Sequence, residues 1–130
     1  MSDLESSLSM SASAMKAQST RLRLASENIA NADTPGYRRK TVSFRETFDR
    51  GLGANLVETG MVRLDQSELA RIYSPGHPLA DQTGSYDGSN IDLIVEIADA
   101  RESQRSYEAN LRMFDQARQM ASAALELLRR

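Results

Sequence analysis

The chain has 130 residues, of which 40% are hydrophobic and 5% aromatic, and it contains no tryptophan. This length has room for one domain, and so few aromatic residues exclude a core built from large rings. The 16 basic and 18 acidic side chains nearly cancel, which argues against a dedicated nucleic-acid-binding protein. Cysteine is absent, which excludes disulfides, thiol chemistry and cysteine metal sites.

The N-terminal residues predict neither a secretory signal nor a membrane anchor. They lack the basic and apolar regions of a signal peptide. No apolar run approaches the roughly 20 residues that a transmembrane helix requires. By these rules we expect a soluble cytoplasmic protein with no cleaved signal peptide and no insertion into a membrane.

A first helix is predicted over residues 1–31. Ser2-Asp3-Leu4-Glu5 has the form of a capping box. Small and apolar residues then follow in steps of four and three, at Leu8, Ala12, Met15, Ser19, Leu22, Ser26 and Ile29. Because Ala, Ser and Met replace Leu and Ile at several of these positions, the helix should be stable only when packed. Packing on the C-terminal helix of its own chain and packing on neighbouring chains both stay open.

The stretch from residue 28 to residue 37 is predicted to end this helix in a turn. Asn31 and Asp33 are common cap and turn residues, and the following proline pushes Thr34 out of the helical region. Pro35-Gly36 is a signal for a type II turn. The basic residues 38–40 come next. This cluster has three interpretations: a solvated corner, a contact with nucleic acid, or a contact with acidic neighbours in an assembly.

Residues 32–89 are predicted to form this turn and a small β region. Six glycines divide the second part of it into short segments, at Gly51, Gly53, Gly60, Gly76, Gly84 and Gly88. The candidate strands are 55–58, 61–64 and 69–73, with Glu58-Thr59-Gly60 turning the first pair. Thr41–Arg45 alternates as a half-buried strand would, although Phe44 and Phe48 are also spaced by one helical turn.

Residues 73–81 are predicted to form an extended, kinked loop. Pro75 and Pro78 restrict its backbone, and Leu79 should turn back toward the structure. His77 is the only histidine, so a transition-metal site would be unusual. No nucleophile motif accompanies it as a catalytic base. We therefore interpret His77 as a packed or loop residue and predict no active site, metal site or cofactor.

A second helix is predicted from about residue 91 to residue 128, with Ser89-Asn90-Ile91-Asp92 as its cap. Nine of eleven positions in four-three steps are apolar, in the series Leu93, Ile97, Ala100, Gln104, Tyr107, Leu111, Phe114, Arg118, Ala121, Leu125 and Leu128. Such a helix is roughly 57 Å long. A compact globule of this chain length is only about 35–40 Å across. The stripe therefore needs partners beyond its own monomer, most simply other subunits.

Three motifs resemble the flagellar axial family of rod, hook and hook-associated proteins. The first is Ala25-x-x-Asn28-Ile29-Ala30-Asn31-x-x-Thr34-Pro35-Gly36-Tyr37. Tyr73-x-Pro75-x-His77-Pro78-x-Ala80-Asp81 looks like the proximal rod proteins of the FlgC type, and Ser103-x-Arg105-Ser106-Tyr107-x-Ala109-Asn110 is similar to their C-terminal motif. The resemblance covers residues 25–44, 73–81 and 90–128. Proteins of the FlgC type often carry an insertion before the segment that begins at Tyr37. Here Gly36 precedes Tyr37 without an insertion, as in the other small rod proteins, so membership of another small rod protein family is the alternative.

The resemblance implies a mainly α fold with a small β insertion, whose long N- and C-terminal helices pair as an antiparallel coiled coil. Residues 1–31 and 90–130 would form an inner assembly domain, and residues 32–89 would make outer contacts. It also implies a structural subunit without enzymatic activity, exported by the flagellar type III apparatus. Such subunits assemble with themselves and with other rod proteins into a hollow helical rod in the periplasm.

The resemblance also implies roles for single residues. Residues 28–37 would hold the turn, and residues 105–110 would pack against it. Tyr107, Leu111 and Phe114 lie on the apolar seam, whereas Arg105 and Asn110 lie off it and could make polar contacts between subunits. Gln104 and Arg118 are polar seam positions that could set register.

Two other classes of protein stay open. A soluble coiled-coil adaptor or secreted effector would show a discrete oligomer that does not depend on concentration. A small nucleic-acid-binding regulator would show binding that weakens steeply with added salt.

Overall fold

The computed structural model describes residues 2–129 and contains two long helices separated by a small β region. Helix α1 spans Ser2–Ala30 and helix α2 spans Leu93–Leu128. Between them lie six strands: β1 (Lys40–Thr41), β2 (Phe44–Asp49), β3 (Ala54–Thr59), β4 (Arg63–Leu64), β5 (Arg71–Tyr73) and β6 (Ser85–Asp87). The prediction of long terminal helices around a short β region is confirmed. Met1 and Arg130, the outermost residues of the predicted helical segments, and the side chain of Ser2 lie outside the described part.

Helix α2 begins two residues later than predicted. Asp92 is its N-cap, and its side chain accepts a 3.0 Å hydrogen bond from the backbone N–H of Ile94. Ser89 and Asn90, the predicted caps, precede the helix: Ser89 donates to the carbonyl of Ala32 and accepts from the N–H of Ile91, and Asn90 accepts from the backbone N–H of Arg39. These two side chains therefore connect α2 to the turn after α1 rather than capping the helix.

The two helices lie side by side and run in opposite directions. Asn28, near the end of α1, bonds to Glu96 in the first turn of α2, whereas Arg21, farther back in α1, bonds to Asp99 and Glu102. Because Arg21 lies opposite Glu102 and both helices rise equally per residue, the N-terminal end of α1 lies opposite roughly residue 120. The last two turns of α2 therefore extend past the N-terminal end of α1.

The contact between the helices is made by small and polar residues. The buried side chains are Ser11, Ala17, Leu24, Ala25 and Asn28 in α1, and Glu96, Ser103 and Ala117 in α2. Ala12, Ser19 and Ser26 of the predicted α1 series are exposed, so these positions do not take part in the contact with α2, and their packing on neighbouring chains stays a prediction. Small side chains let the helix axes approach closely, and Leu24 is the one large apolar side chain among these buried residues.

The large side chains of the predicted α2 seam form what we call the outer apolar stripe. Its members are exposed leucine, isoleucine and tyrosine residues: Leu93, Ile97, Tyr107, Leu111, Leu125 and Leu128. Exposure reaches 77% at Leu128, in the part of α2 that extends past α1. Phe114 and Ala121, from the same predicted series, are half-buried. The stripe thus flanks the helix contact along the length of α2.

The strands form three separate two-stranded antiparallel sheets. β2 pairs with β3 without a bulge, from Phe44 opposite Thr59 to Asp49 opposite Ala54. This hairpin lies on α1, where the hydroxyl of Ser13 accepts a 3.1 Å hydrogen bond from the backbone N–H of Val57. Residues 40–49 thus supply strands, which settles the alternative of a helical turn there.

The predicted pairing of residues 55–58 with residues 61–64 is wrong. β3 pairs with β2 across residues 50–53, and β4 pairs with β1. The turn at residues 50–53 is closed by Gly53 at a φ of 66° and by the Asp49 side chain, which accepts from the N–H of Leu52. These two features make it the better hairpin turn, since glycine adopts positive φ without strain.

The loop at residues 73–81 joins β5 to β6, a strand that was not predicted because it holds one apolar residue. The ring of His77 stacks on Tyr86 with centroids 3.9 Å apart, and its Nδ1 accepts from the N–H of Leu79. His77 is thus a packed loop residue, as interpreted from the sequence. Leu79 does not turn inward and is 60% exposed, since the histidine ring occupies the position against Tyr86.

Asp81 closes the hairpin formed by β5 and β6. Its Oδ1 accepts hydrogen bonds from the backbone N–H and the hydroxyl of Thr83, and its Oδ2 accepts one from Arg71 at 2.6 Å. The hydrogen bond from the Thr83 side chain is the largest of the effects that hold the pKa of Asp81 below its ordinary value, followed by the bond from Arg71.

We expect Asp81→Asn to speed amide hydrogen exchange in residues 71–87 at pH 6 relative to the wild-type chain. Because the folded pKa is depressed, the carboxylate contributes its stabilisation in full above the unfolded pKa of about 3.9, and this contribution is lost as the pH falls below that value. The ratio of exchange rates should therefore stay constant from pH 7 to pH 5 and fall toward one below about pH 4. A ratio that already changes near pH 6 would contradict this assignment.

Candidate functional site

A polar junction lies where the turn after α1 meets the start of α2. We define this helix junction by Arg21, Asn28, Tyr37, Arg39, Lys40, Asn90, Glu96 and Asp99. Asn28 is at its centre and is only 1% exposed. Its Nδ2 donates to the carbonyl of Lys40 and to Glu96, and its Oδ1 accepts from the N–H of Lys40 and the hydroxyl of Tyr37, at 2.9–3.2 Å. All four hydrogen-bonding positions of the amide are thus occupied.

Glu96 is the second buried polar residue of the junction and is 1% exposed. One carboxylate oxygen accepts from Asn28 and the other from Nε of Arg39. Arg39 also donates to Asp99 at 2.9 Å, and Asp99 accepts from Arg21 at 2.8 Å. A buried carboxylate is costly unless it is paired and hydrogen-bonded, and this series of alternating charges provides both conditions.

Burial and pairing set the protonation of the junction. For Arg39, burial is the largest single effect and acts to lower the pKa, but the hydrogen bond to Glu96 and the attraction of Glu96 and Asp99 leave the pKa raised. Burial also raises the pKa of the Tyr37 phenol, which therefore stays neutral and donates a hydrogen bond to Oδ1 of Asn28. The arginine and the tyrosine keep their protons near neutral pH, so they act as fixed hydrogen-bond donors.

The turn before the junction has the predicted type II form. Gly36 has a φ of 75°, and the N–H of Tyr37 bonds to the carbonyl of Thr34 at 3.1 Å. The Thr34 hydroxyl donates to the Asn31 side chain, whose own amide donates to the carbonyl of Glu27. The N–H of Gly36 donates to the β6 end of the second hairpin, at residues 87–88. Ile29 is half-buried, and Thr34 and Pro35 are exposed.

Several junction residues were not predicted from the sequence. Arg39 belongs to the basic cluster predicted at residues 38–40, and no role is predicted for Glu96. The available signal was the position of Glu96 within the apolar run from Leu93 to Ala98. Asn90 also bridges two segments, since its Nδ2 donates to the carbonyl of Asp65 at 3.0 Å. Such long-range bonds have no periodic signature in the sequence.

Residues 105–110 lie away from the turn within one chain. The α2 residue that bonds to Asn28 is Glu96, which precedes Arg105 by roughly 14 Å of helix. Arg105 is exposed, and Asn110 is half-buried and donates to the carbonyl of Ser106 at 2.8 Å. The expected contact between residues 105–110 and the turn is therefore not made inside the chain, and a contact between subunits stays a prediction.

The remaining predicted residues lie on the surface at different places. Pro75 and Pro78 are exposed in the loop of the second hairpin, and Tyr107 and Leu111 belong to the outer apolar stripe. Within residues 2–129, no group of three or more His, Asp or Glu side chains is arranged to hold a metal ion. Neither described helix has the length and apolar character needed to cross a membrane.

Two family profiles match the segments that carry the helices. Residues 8–38 match the family described as "Flagella basal body rod protein". Residues 82–127 match the family described as "Flagellar basal body rod FlgEFG protein C-terminal". Together these matches include every residue of the helix junction except Arg39 and Lys40.

Curated relatives align with nearly the whole chain. It is 40% identical to the flagellar basal-body rod protein FlgC of Agrobacterium fabrum, over 99% of this chain and 98% of that protein. It is 34% identical to FlgC of Salmonella typhimurium, over 88% of this chain and 90% of the relative. It is also 34% identical to FlgC of Bacillus subtilis, over 93% and 95% of the two chains.

Proposed function

This chain belongs to the FlgC family of flagellar basal-body rod proteins, and from that membership we propose how its helices build the rod. It is a structural subunit of the bacterial flagellar basal-body rod and not an enzyme. Its place is the flagellar basal body, where it assembles with other rod components. We infer that α1 and α2 pair as an antiparallel coiled coil and polymerise through their outer faces into a hollow helical shaft.

The outer apolar stripe of α2 is the observation that supports this proposal. Within residues 2–129, α1 covers the neighbouring stripe of small residues and no segment covers the leucines beside it. Contiguous exposed apolar surface marks interaction sites, because its burial in a complex removes apolar area from water. Subunits that meet head to tail through such a stripe form an open helical polymer when the rotation between neighbours does not close a ring.

The sequence-predicted residues take separate roles in this proposal. Residues 1–31 and 90–130 form the inner assembly layer, and residues 32–89 make the outer contacts. Asn28 and Tyr37 fix the junction, with Ile29, Asn31, Thr34, Pro35 and Gly36 forming the turn. Leu111 and the other stripe residues make apolar contacts with neighbours, while Arg105 supplies a polar one.

We further infer that the chain is exported through the flagellar type III apparatus without a cleaved signal peptide and assembles in the periplasm. The described residues bury only a few apolar side chains fully, namely Ala17, Leu24, Ala25 and Ala117. A chain with so small a core gains further stability from its neighbours in an assembly, as in folding coupled to binding.

Deleting residues 117–130 in the native organism tests the proposal. We expect basal bodies that retain their rings but lack the rod in electron micrographs, and cells that do not swim. The deletion removes the outermost part of the stripe, including Leu125 and Leu128, which are exposed in the monomer.

Because the deletion also removes Ala117, which is buried against α1, a second variant separates folding from assembly. Leu125→Asp combined with Leu128→Asp keeps the full chain length and changes only exposed positions. We expect the same rodless, non-swimming phenotype with normal amounts of subunit. Complete rods and swimming cells in both variants would exclude the helices as the axial contact and would favour a soluble adaptor.

A further inference from the structure

We propose that neighbouring copies of this chain are also joined by main-chain hydrogen bonds, with strand β2 of one copy adding to strand β5 of the next. This inference rests on the proposed polymerisation and names a second interface for it. It concerns residues 44–48 and 69–73, which lie on two different hairpins.

The outer edge of β2 has free main-chain groups. In an antiparallel pair, alternate residues bond to the partner strand while the residues between them point their N–H and C=O groups away. The N–H of Val57 bonds to Ser13 on α1, so the main-chain groups of Val57 point away from β2. Glu46 lies opposite Val57, and its main-chain N–H and C=O groups therefore point away from β3, at the outer edge of the hairpin. By the same alternation the main-chain groups of Phe44 and Phe48 point away from β3 as well. Within residues 2–129 none of the main-chain hydrogen bonds outside the β2–β3 ladder involves these three residues.

The outer edge of β5 shows the same pattern. The N–H of Ser74 donates to the carbonyl of Gly84, and the carbonyl of Ala70 accepts from the N–H of Gly88. Ala70 and Ser74 therefore face β6, and the odd-numbered residues between and beside them point their main-chain groups away: Leu69, Arg71 and Tyr73. Strand β5 is exposed along its whole length.

The two edges match in one antiparallel register. With Glu46 opposite Arg71 of the next copy, Phe44 lies opposite Tyr73 and Phe48 lies opposite Leu69. These are an opposite-charge pair, an aromatic pair and an apolar pair, the combinations that stabilise adjacent strands. A shift of two residues would place Pro75 opposite Phe44, where proline has no N–H to donate. Arg71 already pairs with Asp81 and Asp87, so the main-chain bonds and the apolar pairs carry most of the affinity.

A second copy meeting β2 with its own β2 is the competing arrangement. In the register centred on Thr47, Arg45 would lie opposite Asp49 of the partner, which is also a favourable pair. That contact is twofold and closes on itself, so it would stop at a dimer. The β2-to-β5 contact leaves β2 free at one end of a row of subunits and β5 free at the other end. This arrangement therefore permits a rod to grow.

Engineered cysteines can distinguish these arrangements in the full chain, which contains no cysteine of its own. In the β2-to-β5 register Thr47 lies opposite Ala70, and both residues are exposed and non-hydrogen-bonded at this interface. Such pairs have Cα atoms about 4.5 Å apart, within the range of a disulfide. The Thr47→Cys, Ala70→Cys double variant would be the sole copy in the native organism, and oxidised basal bodies would be run on non-reducing gels.

We expect disulfide-linked dimers and larger species from the double variant and none from Ala70→Cys alone. Dimers from Thr47→Cys alone would overturn the proposal in favour of the twofold contact. Swimming cells with no linked species from the double variant would also overturn it, while leaving the rod function intact. If the double variant fails to assemble, Arg45→Cys with Ile72→Cys tests the same register. The proposed function is judged separately, by whether the wild-type chain restores swimming to a strain that lacks it.

Discussion

Replacing Leu111 by Asp should abolish rod assembly and swimming while leaving the isolated subunit folded. Leu111 is 40% exposed and lies in the middle of the outer apolar stripe, so the monomer can accept a carboxylate there in contact with water. An interface that buried this position would enclose an unpaired charge, at a cost of several kcal/mol. Complementation of a deletion strain on swimming agar and micrographs of its basal bodies measure assembly, and circular dichroism of the purified chain measures folding.

Gln119→Asp is the matched control, because it adds the same charge to α2 at an exposed position outside the stripe. We expect it to retain swimming. Phe114→Asp should also block assembly, but Phe114 is half-buried within its own chain, so this variant should lose helicity as well. Wild-type swimming in cells that carry Leu111→Asp would show that the stripe is not an assembly surface.

Replacing Glu96 by Ala should lower the free energy of unfolding by about 3–5 kcal/mol, the cost of removing one partner of a buried ion pair. The substitution removes one of the two acceptors of Arg39 and one of the two acceptors of the Asn28 amide, and it leaves only Asp99 to pair with Arg39 inside the helix junction. Urea unfolding followed by circular dichroism measures the loss, provided that the dependence on denaturant is unchanged.

Glu102→Ala serves as the control for that experiment. Glu102 also pairs with an arginine, but its contact with Arg21 is 3.3 Å long and its side chain is 66% exposed. Exposed pairs of this kind contribute about 0–1 kcal/mol. Equal losses of unfolding free energy in the two variants would mean that the burial of Glu96 does not strengthen its contribution to stability. Glu96→Gln, which keeps an acceptor for Asn28, should fall between them.

The helices and the turn were predictable because each has a local signature. Four-three spacing marks α1 and α2, and Pro35-Gly36 marks the type II turn. The phase of the helix contact was not predictable in this way, because apolar spacing shows which residues avoid water but not which partner covers them. Here the monomer buries Ser103 and Ala117 and leaves Leu111 outside.

The strand pairing and the helix junction depend on contacts between distant residues. A turn at Glu58-Thr59-Gly60 was plausible from composition, but the side chain of Asp49 and the positive φ of Gly53 close the turn before it instead. At the junction, Asn28 was singled out from its motif alone. Its buried partner Glu96 lies 68 residues later in the chain, a separation that no local pattern encodes.

That separation has a consequence for the order of events during synthesis. The ribosome releases the N-terminal end first, so α1 and its turn emerge long before Glu96 exists. Until then Asn28 has no carboxylate to bond, and its contacts with residues 37–40 are the only part of the network that can form. Closing so distant a contact costs more loop entropy than closing a local one and is slow compared with forming a helix. A nascent or freshly released chain therefore passes through a long interval in which its two halves are not yet joined.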